Sequence, residues 1–199
     1  MSNPFFSVII PAHNSAKYIR NGLDSIRAQT FKDYELIVVC DKCTDTTSLV
    51  AAEYTDKILA VNYGLDGMAR NAGIDVADGQ FILFMDDDDW FLHEYVFTQL
   101  ADHLGKNQCD VLLFSFIWRL RGYTSQTISR RIACWAKCWR RAWIGDTRFP
   151  AKPYWSDVDF DREMFGKPGV KMAWDMPIYY YNYLRQGSIS WRQKVGEIE

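Results

Sequence analysis

The sequence predicts an α/β fold with a mostly parallel central sheet and helices on both faces. Three observations predict it. Short apolar runs alternate with helical patterns, each run is apolar almost throughout, and polar residues follow directly where several runs end. Strands that are apolar on both sides belong in a parallel sheet that is covered on both faces. Ligands of such sheets bind beyond the carboxyl ends of the strands.

The alternation is regular in the first half of the chain. Apolar periodicity and breaker residues predict seven elements in order: strand 5–14, helix 15–30, strand 34–40, helix 44–54, strand 57–62, helix 66–78 and strand 80–85. Pro11 is expected to close the first strand. Ser15 is the expected cap of the first helix, because a serine hydroxyl can accept a bond from a free N–H group there.

The pattern weakens after residue 105. We expect a strand at 110–120, irregular basic and aromatic chain at 121–155, a short helix at 157–166 and a strand at 177–190 that ends in a turn. The sequence shows no internal repeat and no low-complexity linker. We therefore expect one domain, 1–199, with a regular half at 1–105 and a less regular half at 106–199.

Composition excludes several classes of protein. The net charge of −2 gives no global attraction to nucleic acid or to anionic lipid. The apolar-rich stretch 111–118 is far shorter than the ~20 residues of a membrane helix. The chain starts without a basic segment or a long apolar run, so a cytoplasmic protein is expected. Five cysteines are an odd number, and a disulfide framework is not expected.

The stretch "FILFMDDDDW" (81–90) places four aspartates at the end of an apolar run. Adjacent carboxylates repel one another, by up to about 1 kcal/mol per close pair in water. They are also good oxygen ligands for a divalent cation, and Mg²⁺ is usually held by one or two carboxylates together with substrate phosphates. The pattern therefore predicts a cation site for a diphosphate ligand; the alternative is a solvated acidic loop.

Three other nucleotide-binding designs do not match. The sequence has no G-x-x-x-x-G-K-[ST] loop, and its first strand leads to "PAHNSAKY" rather than to G-x-G-x-x-G. An aspartyl-phosphate phosphatase of the dehalogenase type would need Thr or Val where Trp90 stands.

Four segments carry a resemblance to a known family. They are "SVIIPAHNSAKYIRNGLDSIRAQTFKDYELIVV", "GLDGMARNAGIDVADGQFILFMDDDDW", "WSDVDF" and "YYYNYLRQGSIS". Over roughly residues 5–190 the chain resembles glycosyltransferase family 2, the inverting nucleotide-sugar transferases with the GT-A fold. The resemblance implies a nucleotide-sugar-binding half at 1–105 and an acceptor-binding half at 106–199.

The resemblance also implies roles for single residues on the donor side. One group would line the nucleotide pocket: Pro11, Ala12, His13 and Asn14. Another matches the family's D-x-D motif: Asp86, Asp87 and Asp88. Within that motif Asp88 is the expected direct metal ligand, and Asp86 lies next to the ribose and the cation. Asp41 would accept a hydrogen bond from the base, and Arg70 would lie near the phosphates.

On the acceptor side, Asp157 matches the aspartate that serves as general base. Asp159 and Asp161 are expected to be its solvated neighbours. Simpler roles compete for two donor-side residues, since Asp41 could cap the following helix and Arg70 could be an ordinary surface residue.

The chain departs from the family pattern at two places. The family's "DDGSTD" is "CDKCTD" here, so that Lys42 stands where the family has glycine. Without glycine a positive φ is less accessible, and the turn is expected to differ. Ser156 replaces the glutamate that precedes the base in the family.

The implied function is transfer of a sugar from a nucleoside-diphosphate sugar, most often a UDP-sugar, to an acceptor hydroxyl with inversion. Mn²⁺ or Mg²⁺ would assist, and the expected pathway is the synthesis of a bacterial surface polysaccharide or glycolipid. The acceptor would be a glycan or a lipid-linked sugar. Two alternatives stay open: a nucleotide-sugar-binding protein without turnover, and a nucleotidyltransferase.

A basic and aromatic segment lies between Asp110 and Asp146, which have no acidic residue between them. It contains seven cations and four tryptophans: Arg119, Arg121, Arg130, Arg131, Lys137, Arg140, Arg141, Trp118, Trp135, Trp139 and Trp143. Whether 131–143 is a helix or a strand, such a mixture is typical of a membrane interface. We expect contact with anionic lipid at the inner face of the membrane or with a lipid-diphosphate-linked acceptor; the alternative is a solvated basic face over an aromatic core.

Overall fold

The computed structural model describes residues 3–120, 123–128 and 133–182. The strands are β1 (Phe6–Ala12), β2 (Tyr34–Asp41), β3 (Ile58–Val61), β4 (Phe81–Phe84), β5 (Trp90–Phe91), β6 (Val111–Leu120), β7 (Tyr123–Ile128), β8 (Lys137–Arg140) and β9 (Lys171–Tyr181). The helices are α1 (Ile19–Arg27), α2 (Thr47–Ala51), α3 (Asp66–Asp75), α4 (Val96–Lys106), α5 (Arg141–Ile144) and α6 (Ser156–Gly166).

The described strands form one sheet in the order β3-β2-β1-β4-β8-β6-β9-β5, with β7 paired to β6. The strands β3, β2, β1 and β4 are parallel, whereas β8 runs antiparallel to both of its neighbours. The chain passes outward from β1 through β2 to β3 and then returns to the other side of β1 at β4. Such a reversal creates a crevice at the carboxyl ends of β1 and β4, where ligands of α/β sheets bind.

Helices cover both faces of the sheet, and the predicted α/β fold class is confirmed. Phe6 of β1 packs against Phe97 of α4, with ring centroids 5.4 Å apart. Ile9 lies an odd number of residues further along and so points to the opposite face. There it meets α3, so closely that a Cβ added to Gly73 would lie 2.4 Å from Ile9 Cγ2. All seven residues of β1 are buried.

The first helix begins later than the sequence predicts. It starts at Ile19, and Tyr18 stands at the N-cap position without a side-chain cap bond. Ser15 is therefore not the cap. Its carbonyl oxygen accepts the N–H of Ile19 at 3.0 Å in a preceding turn. Its own N–H donates to Thr47 Oγ1 at 2.8 Å, which ties the turn to α2.

The second half contains more regular structure than the sequence predicts. The supposedly irregular segment 121–155 contains β7, β8 and α5, and β8 fills the place between β4 and β6. The last strand begins at Lys171, before the predicted residue 177, and ends at Tyr181. The remainder of the predicted strand, 183–190, lies outside the described residues. Among the described residues, no helix is long and apolar enough to span a bilayer.

The aromatic part of the basic segment belongs largely to the core. Trp135 and Trp139 are 7% and 0% exposed, so neither offers its ring to a membrane. Lys137 is also fully buried. Arg140 donates to the carbonyl of residue 109 and Arg141 to that of residue 79, so both guanidinium groups hold backbone in place. Three of the arginines lie outside the described residues: Arg121, Arg130 and Arg131.

Candidate active site

The acidic turn, residues 86–89, begins where β4 ends and lies at the switch point of the sheet. The N–H group of His13, just beyond β1, donates to Asp87 Oδ2 at 3.2 Å and so joins the ends of the two strands. Asp88 is 9% exposed and Asp89 is fully buried. The carboxylates therefore lie at the crevice that the topology creates.

Arg70 connects this turn to α3. Its guanidinium group donates to Asp66 Oδ2 at 2.6 Å and to Asp86 Oδ1 at 2.7 Å. The residue is only 5% exposed, which rules out the interpretation as an ordinary surface residue. Its buried Nε has no hydrogen-bond partner among the described residues. The site thus contains a fixed positive charge beside the acidic turn.

Asp41 binds backbone rather than capping a helix. Its Oδ1 accepts the N–H groups of Tyr63 and Gly64 at 2.7 and 2.9 Å, and its Oδ2 accepts that of Leu65 at 3.0 Å. The interpretation of Asp41 as the cap of α2 is therefore wrong. The carbonyl oxygen of Asp41 lies 2.7 Å from His13 Nδ1, which places both residues at the same edge of the sheet.

The four residues expected in the nucleotide pocket divide into two pairs. Pro11 and Ala12 are buried inside β1, whereas His13 and Asn14 are exposed beyond its end. Asn14 has a φ of 49°, and its Oδ1 accepts the N–H groups of residues 44 and 45 at 2.8 and 3.2 Å. The end of β1 is therefore tied to the turn after β2.

The "CDKC" turn keeps the backbone shape that glycine would favour. Lys42 has a φ of 53°, so the lysine itself adopts the left-handed conformation. This costs about 1 kcal/mol relative to glycine. The expectation that losing glycine alters the turn is wrong in this respect. The lysine side chain lies over Gly64, where an added Cβ would lie 2.6 Å from Lys42 Nζ.

The start of α6 brings Asp157 to the site. Ser156 Oγ donates to Asp66 Oδ1 at 3.3 Å. A Cβ added to Gly67 would lie 2.8 Å from the same hydroxyl, so the backbone of α3 packs directly against the side chain of Ser156 on α6. This contact joins residues 90 positions apart and places Asp157 beside the Arg70 cluster.

Asp157 interacts electrostatically with Arg70 and with the acidic turn. Burial raises the pKa of Asp157 to about 6. The positive charge of Arg70 acts in the opposite direction, while the charges of Asp86 and Asp66 raise the pKa further. A carboxyl group with such a pKa is mostly ionised at pH 7 but holds its proton more tightly than a solvated aspartate does.

The two other aspartates of α6 differ from each other. Asp159 lies at the surface and pairs with Lys152 and Arg162, as expected of a solvated neighbour. The same expectation is wrong for Asp161, which is 1% exposed. It forms a buried ion pair with Lys137, with Nζ and Oδ2 2.6 Å apart.

Two residues of the site are absent from the sequence-based prediction. Asp66 stands four positions before Arg70 in α3, and this spacing of an acid and an arginine on a helix could have indicated the pair. Tyr179 lies in a run of three tyrosines, and nothing in that run distinguishes it. Its hydroxyl donates to Asp89 Oδ2 at 2.6 Å.

The residues present fit a divalent cation, because the acidic turn offers several carboxylate oxygens, the ligands that Mg²⁺ and Mn²⁺ prefer, beside the guanidinium of Arg70. The mutual repulsion of these carboxylates contributes to their pKa values. Burial raises the pKa of Asp89 well above its usual range, and the charges of Asp86 and Asp88 raise it further. The pKa of Asp157 is raised in the same way. In the described part of the chain no three His, Cys, Asp or Glu side chains form a ready-made metal site. A cation bound by one or two carboxylates and by ligand phosphates needs no such cage.

Fold and site together define the class of protein: an α/β protein of the GT-A type, with its acidic turn at the switch point of the sheet. The family model described as "Glycosyl transferase family 2" matches residues 7–166. The chain belongs to glycosyl transferase family 2.

The chain is similar to curated and solved proteins over different lengths. It is 36% identical over 116 residues to the poly(ribitol-phosphate) β-N-acetylglucosaminyltransferase TarS of Staphylococcus aureus strain Mu50. That match covers 54% of this chain and 20% of TarS. The crystal structure of S. aureus TarS 1–349 in complex with UDP-GlcNAc superimposes with a TM-score of 0.81 and 27% identity, covering 94% of this chain and 60% of that one.

A more distant solved structure has the same fold. It is the mannosyltransferase PcManGT of Pyrobaculum calidifontis in complex with GDP-Man and Mn²⁺, with a TM-score of 0.73 at 15% identity. The match covers 99% of this chain and 62% of that one.

Proposed function

We propose that this chain transfers a sugar from a nucleoside-diphosphate sugar to an acceptor hydroxyl with inversion, in the synthesis of a bacterial surface polysaccharide or glycolipid. A UDP-sugar is the proposed donor, because TarS has been crystallised with UDP and with UDP-GlcNAc. The names of TarS and of a poly(ribitol-phosphate) β-glucosyltransferase of Bacillus spizizenii support a polymer acceptor.

On the donor side, the proposed nucleotide pocket lies at the ends of β1 and β2, with Pro11, Ala12, His13 and Asn14 along one side. Asp41 already accepts three backbone N–H groups, which hold its carboxylate rigidly. Its proposed hydrogen bond with the nucleotide base would be formed by this fixed carboxylate. Arg70 would lie against the phosphates.

The proposed cation, Mn²⁺ or Mg²⁺, would be held by Asp88 with Asp86 beside it, and Asp87 would line the donor site. Such a cation neutralises the negative charge that builds up on a diphosphate leaving group. Asp86 is oriented for this by its ion pair with Arg70, at 2.7 Å.

The placement and pKa of Asp157 carry the proposal. A sugar hydroxyl is a weak nucleophile, so a carboxylate must accept its proton as the new bond forms. The pKa of Asp157 is about 6, which makes it a better proton acceptor than a solvated aspartate while leaving it ionised at pH 7. General-base catalysis of this kind typically contributes 10²–10⁴-fold. The neighbouring Trp155, 54% exposed, would face the acceptor.

Three broader statements belong to the same proposal. Residues 1–105 bind the nucleotide sugar and residues 106–199 bind the acceptor. The protein acts in the cytoplasm. It also contacts the anionic inner face of the membrane, through Arg130 and Arg131 of the basic segment and not through Trp135 or Trp139, which are buried.

A donor-turnover assay tests the proposal. The protein is incubated with UDP-GlcNAc or UDP-glucose, with Mn²⁺, Mg²⁺ or EDTA, and with ribitol-phosphate oligomers or lipid-linked sugars as acceptors. Release of UDP and the anomeric configuration of the product are measured. We expect cation-dependent transfer that falls at least about 10²-fold in Asp157→Asn while UDP binding is retained. Asp159→Asn, on the same helix, is the matched control and should stay active.

The same assay separates the two alternatives. A nucleotide-sugar-binding protein without turnover would bind UDP in the presence of Mn²⁺ and release none from a sugar donor. A nucleotidyltransferase would form pyrophosphate from a nucleoside triphosphate and a sugar phosphate. Equal loss of UDP binding in Asp157→Asn would place that residue in the donor site and refute its role as base.

A further inference from the structure

One hydroxyl group holds both ends of the acidic turn. Tyr179, on β9, donates its O–H to Asp89 Oδ2 at 2.6 Å, and the Tyr179 hydroxyl oxygen itself accepts the N–H of Asp86 at 3.2 Å. Three residues further along, the N–H of Asn182 donates to Asp89 Oδ1 at 2.7 Å. Both oxygens of the last aspartate and the backbone of the first are therefore bound by β9 or the residue after it.

The tyrosine ring that carries this hydroxyl is tightly packed. Tyr179 is fully buried, and its ring stacks on Trp135 with centroids 4.9 Å apart and planes 14° apart. Phe91 packs edge-on against the same ring, with centroids 5.9 Å apart. Behind the turn, a Cβ added to Gly22 would lie 2.7 Å from the carbonyl oxygen of Asp89, so α1 closes that side. The hydroxyl has no room to swing away.

A turn of four aspartates needs such a support. Neighbouring carboxylates repel one another and favour an open, variable conformation of the turn. Binding of a cation together with a diphosphate instead requires a fixed arrangement of the ligand oxygens, since Mg²⁺ tolerates little deviation from octahedral geometry. The bonds to Asp86 and Asp89 fix the two ends of the turn and so restrict the positions of the residues between them.

We propose that Tyr179 is a positioning residue, which holds the acidic turn in the conformation that binds the cation and the donor diphosphate. The proposal rests on the proposed function. It extends the site to β9, in the second half of the chain. Neither the D-x-D pattern nor the topology of the first half indicates a site residue on this strand.

The test compares Tyr179→Phe with Tyr180→Phe. The second variant removes the same atom from the next residue of the strand, whose ring stacks on Trp90 at 4.2 Å. Titration calorimetry measures UDP with Mn²⁺, UDP with EDTA, and uridine, which has no phosphate. We expect Tyr179→Phe to weaken UDP binding with Mn²⁺ about tenfold, equivalent to about 1.4 kcal/mol, and to leave uridine binding unchanged. Tyr180→Phe should match the wild type in all three titrations.

Hydrogen exchange gives a second measurement that does not depend on ligand. In Tyr179→Phe the amide of Asp86 should exchange faster, while the amides of residues 63–65, bound to Asp41, should keep their protection. Equal weakening of uridine and UDP binding would indicate general destabilisation and refute the positioning role, as would unchanged binding of UDP with Mn²⁺. If wild type bound UDP equally well with Mn²⁺ and EDTA, the cation of the proposed function would be refuted instead. Faster exchange at Asp86 would then still establish the clamp on the turn, but not its role toward a cation.

Discussion

Replacing Asp157 by Asn should make the ligand-free protein more stable at neutral pH, although it removes the proposed base. Burial raises the pKa of this carboxyl to about 6, with Arg70 opposing the shift and Asp86 and Asp66 adding to it. The folded state therefore holds the proton more tightly than the unfolded chain does, and ionising Asp157 costs stability. Asparagine has the same shape and no charge, so it avoids this cost.

The magnitude follows from the shift. The pKa rises from 3.8 to about 6, and each unit corresponds to about 1.4 kcal/mol. Below the unfolded pKa, near 4, the group is protonated in both states and the penalty is absent. As the pH rises through 6 the penalty grows to at most about 3 kcal/mol and then stays constant. The advantage of the variant should thus be about 0.5 kcal/mol at pH 4 and at most about 3 kcal/mol at pH 7.5.

Urea unfolding between pH 4 and pH 8, without cation or nucleotide, measures this difference directly. Asp159→Asn is the control on the same helix. The hydrogen bond from Lys152 lowers the pKa of Asp159, so neutralising this group should bring no gain in stability at neutral pH. If Asp157→Asn were less stable than wild type at pH 7.5, or if its advantage were the same at all pH values, the burial of an ionised carboxylate would be refuted.

Three further predictions concern activity and binding. Asp88→Asn should abolish cation-dependent UDP binding and keep the fold; calorimetry showing unchanged affinity and the same Mn²⁺ dependence would contradict the cation assignment. The kcat/KM of the proposed transfer should rise with pH through a limb at or below about 6, because Asp157 must be ionised to accept a proton and a cation bound beside Asp86 would lower its pKa; a flat profile between pH 4 and 8 would argue against it. Wild type should sediment with anionic vesicles at low salt and be released at high salt, whereas a variant with Arg130 and Arg131 changed to Ala should stay in solution. Absence of wild-type binding at low salt would leave a soluble acceptor.

The sequence predicts the first half of the chain well because its signals are local. Apolar runs mark β1, β2 and β4, and the polar residues that end them lie at one edge of a parallel sheet by the geometry of that fold alone. The sequence alone therefore predicts that His13, Asp41 and the acidic turn lie close together. The errors in this half concern ends of elements, such as Ser15, where a turn and a bond to Thr47 replace a helix cap.

The second half could not be predicted to the same extent because its elements depend on distant partners. The short strand β8 contains Lys137, and a lysine argues against a buried strand unless a partner is known. That partner is Asp161, 24 residues later on α6, which the sequence indicates only as one acid among several. Removing one member of such a pair would leave an uncompensated buried charge, so the pair stabilises this arrangement only as a unit. The hydroxyl of Tyr179 is hidden for the same reason, since its bond to Asp89 spans 90 residues.

The departure at Ser156 has a physical counterpart in α3. The pattern of glycosyltransferase family 2 has a glutamate at this position, directly before the proposed base Asp157. This chain has a serine there and therefore no carboxylate. The Ser156 hydroxyl instead donates to Asp66 Oδ1, and the other oxygen of Asp66 accepts the guanidinium of Arg70 at 2.6 Å. A glutamate at 156 would bring a second negative charge against Asp66 and, with Gly67 already in near contact, would have no room. Asp66 and Ser156 therefore depend on each other. Asp66, on α3, supplies the acidic partner of Arg70. Ser156, at the start of α6, is small enough for the two helices to approach closely, and this approach brings Asp157 near the acidic turn.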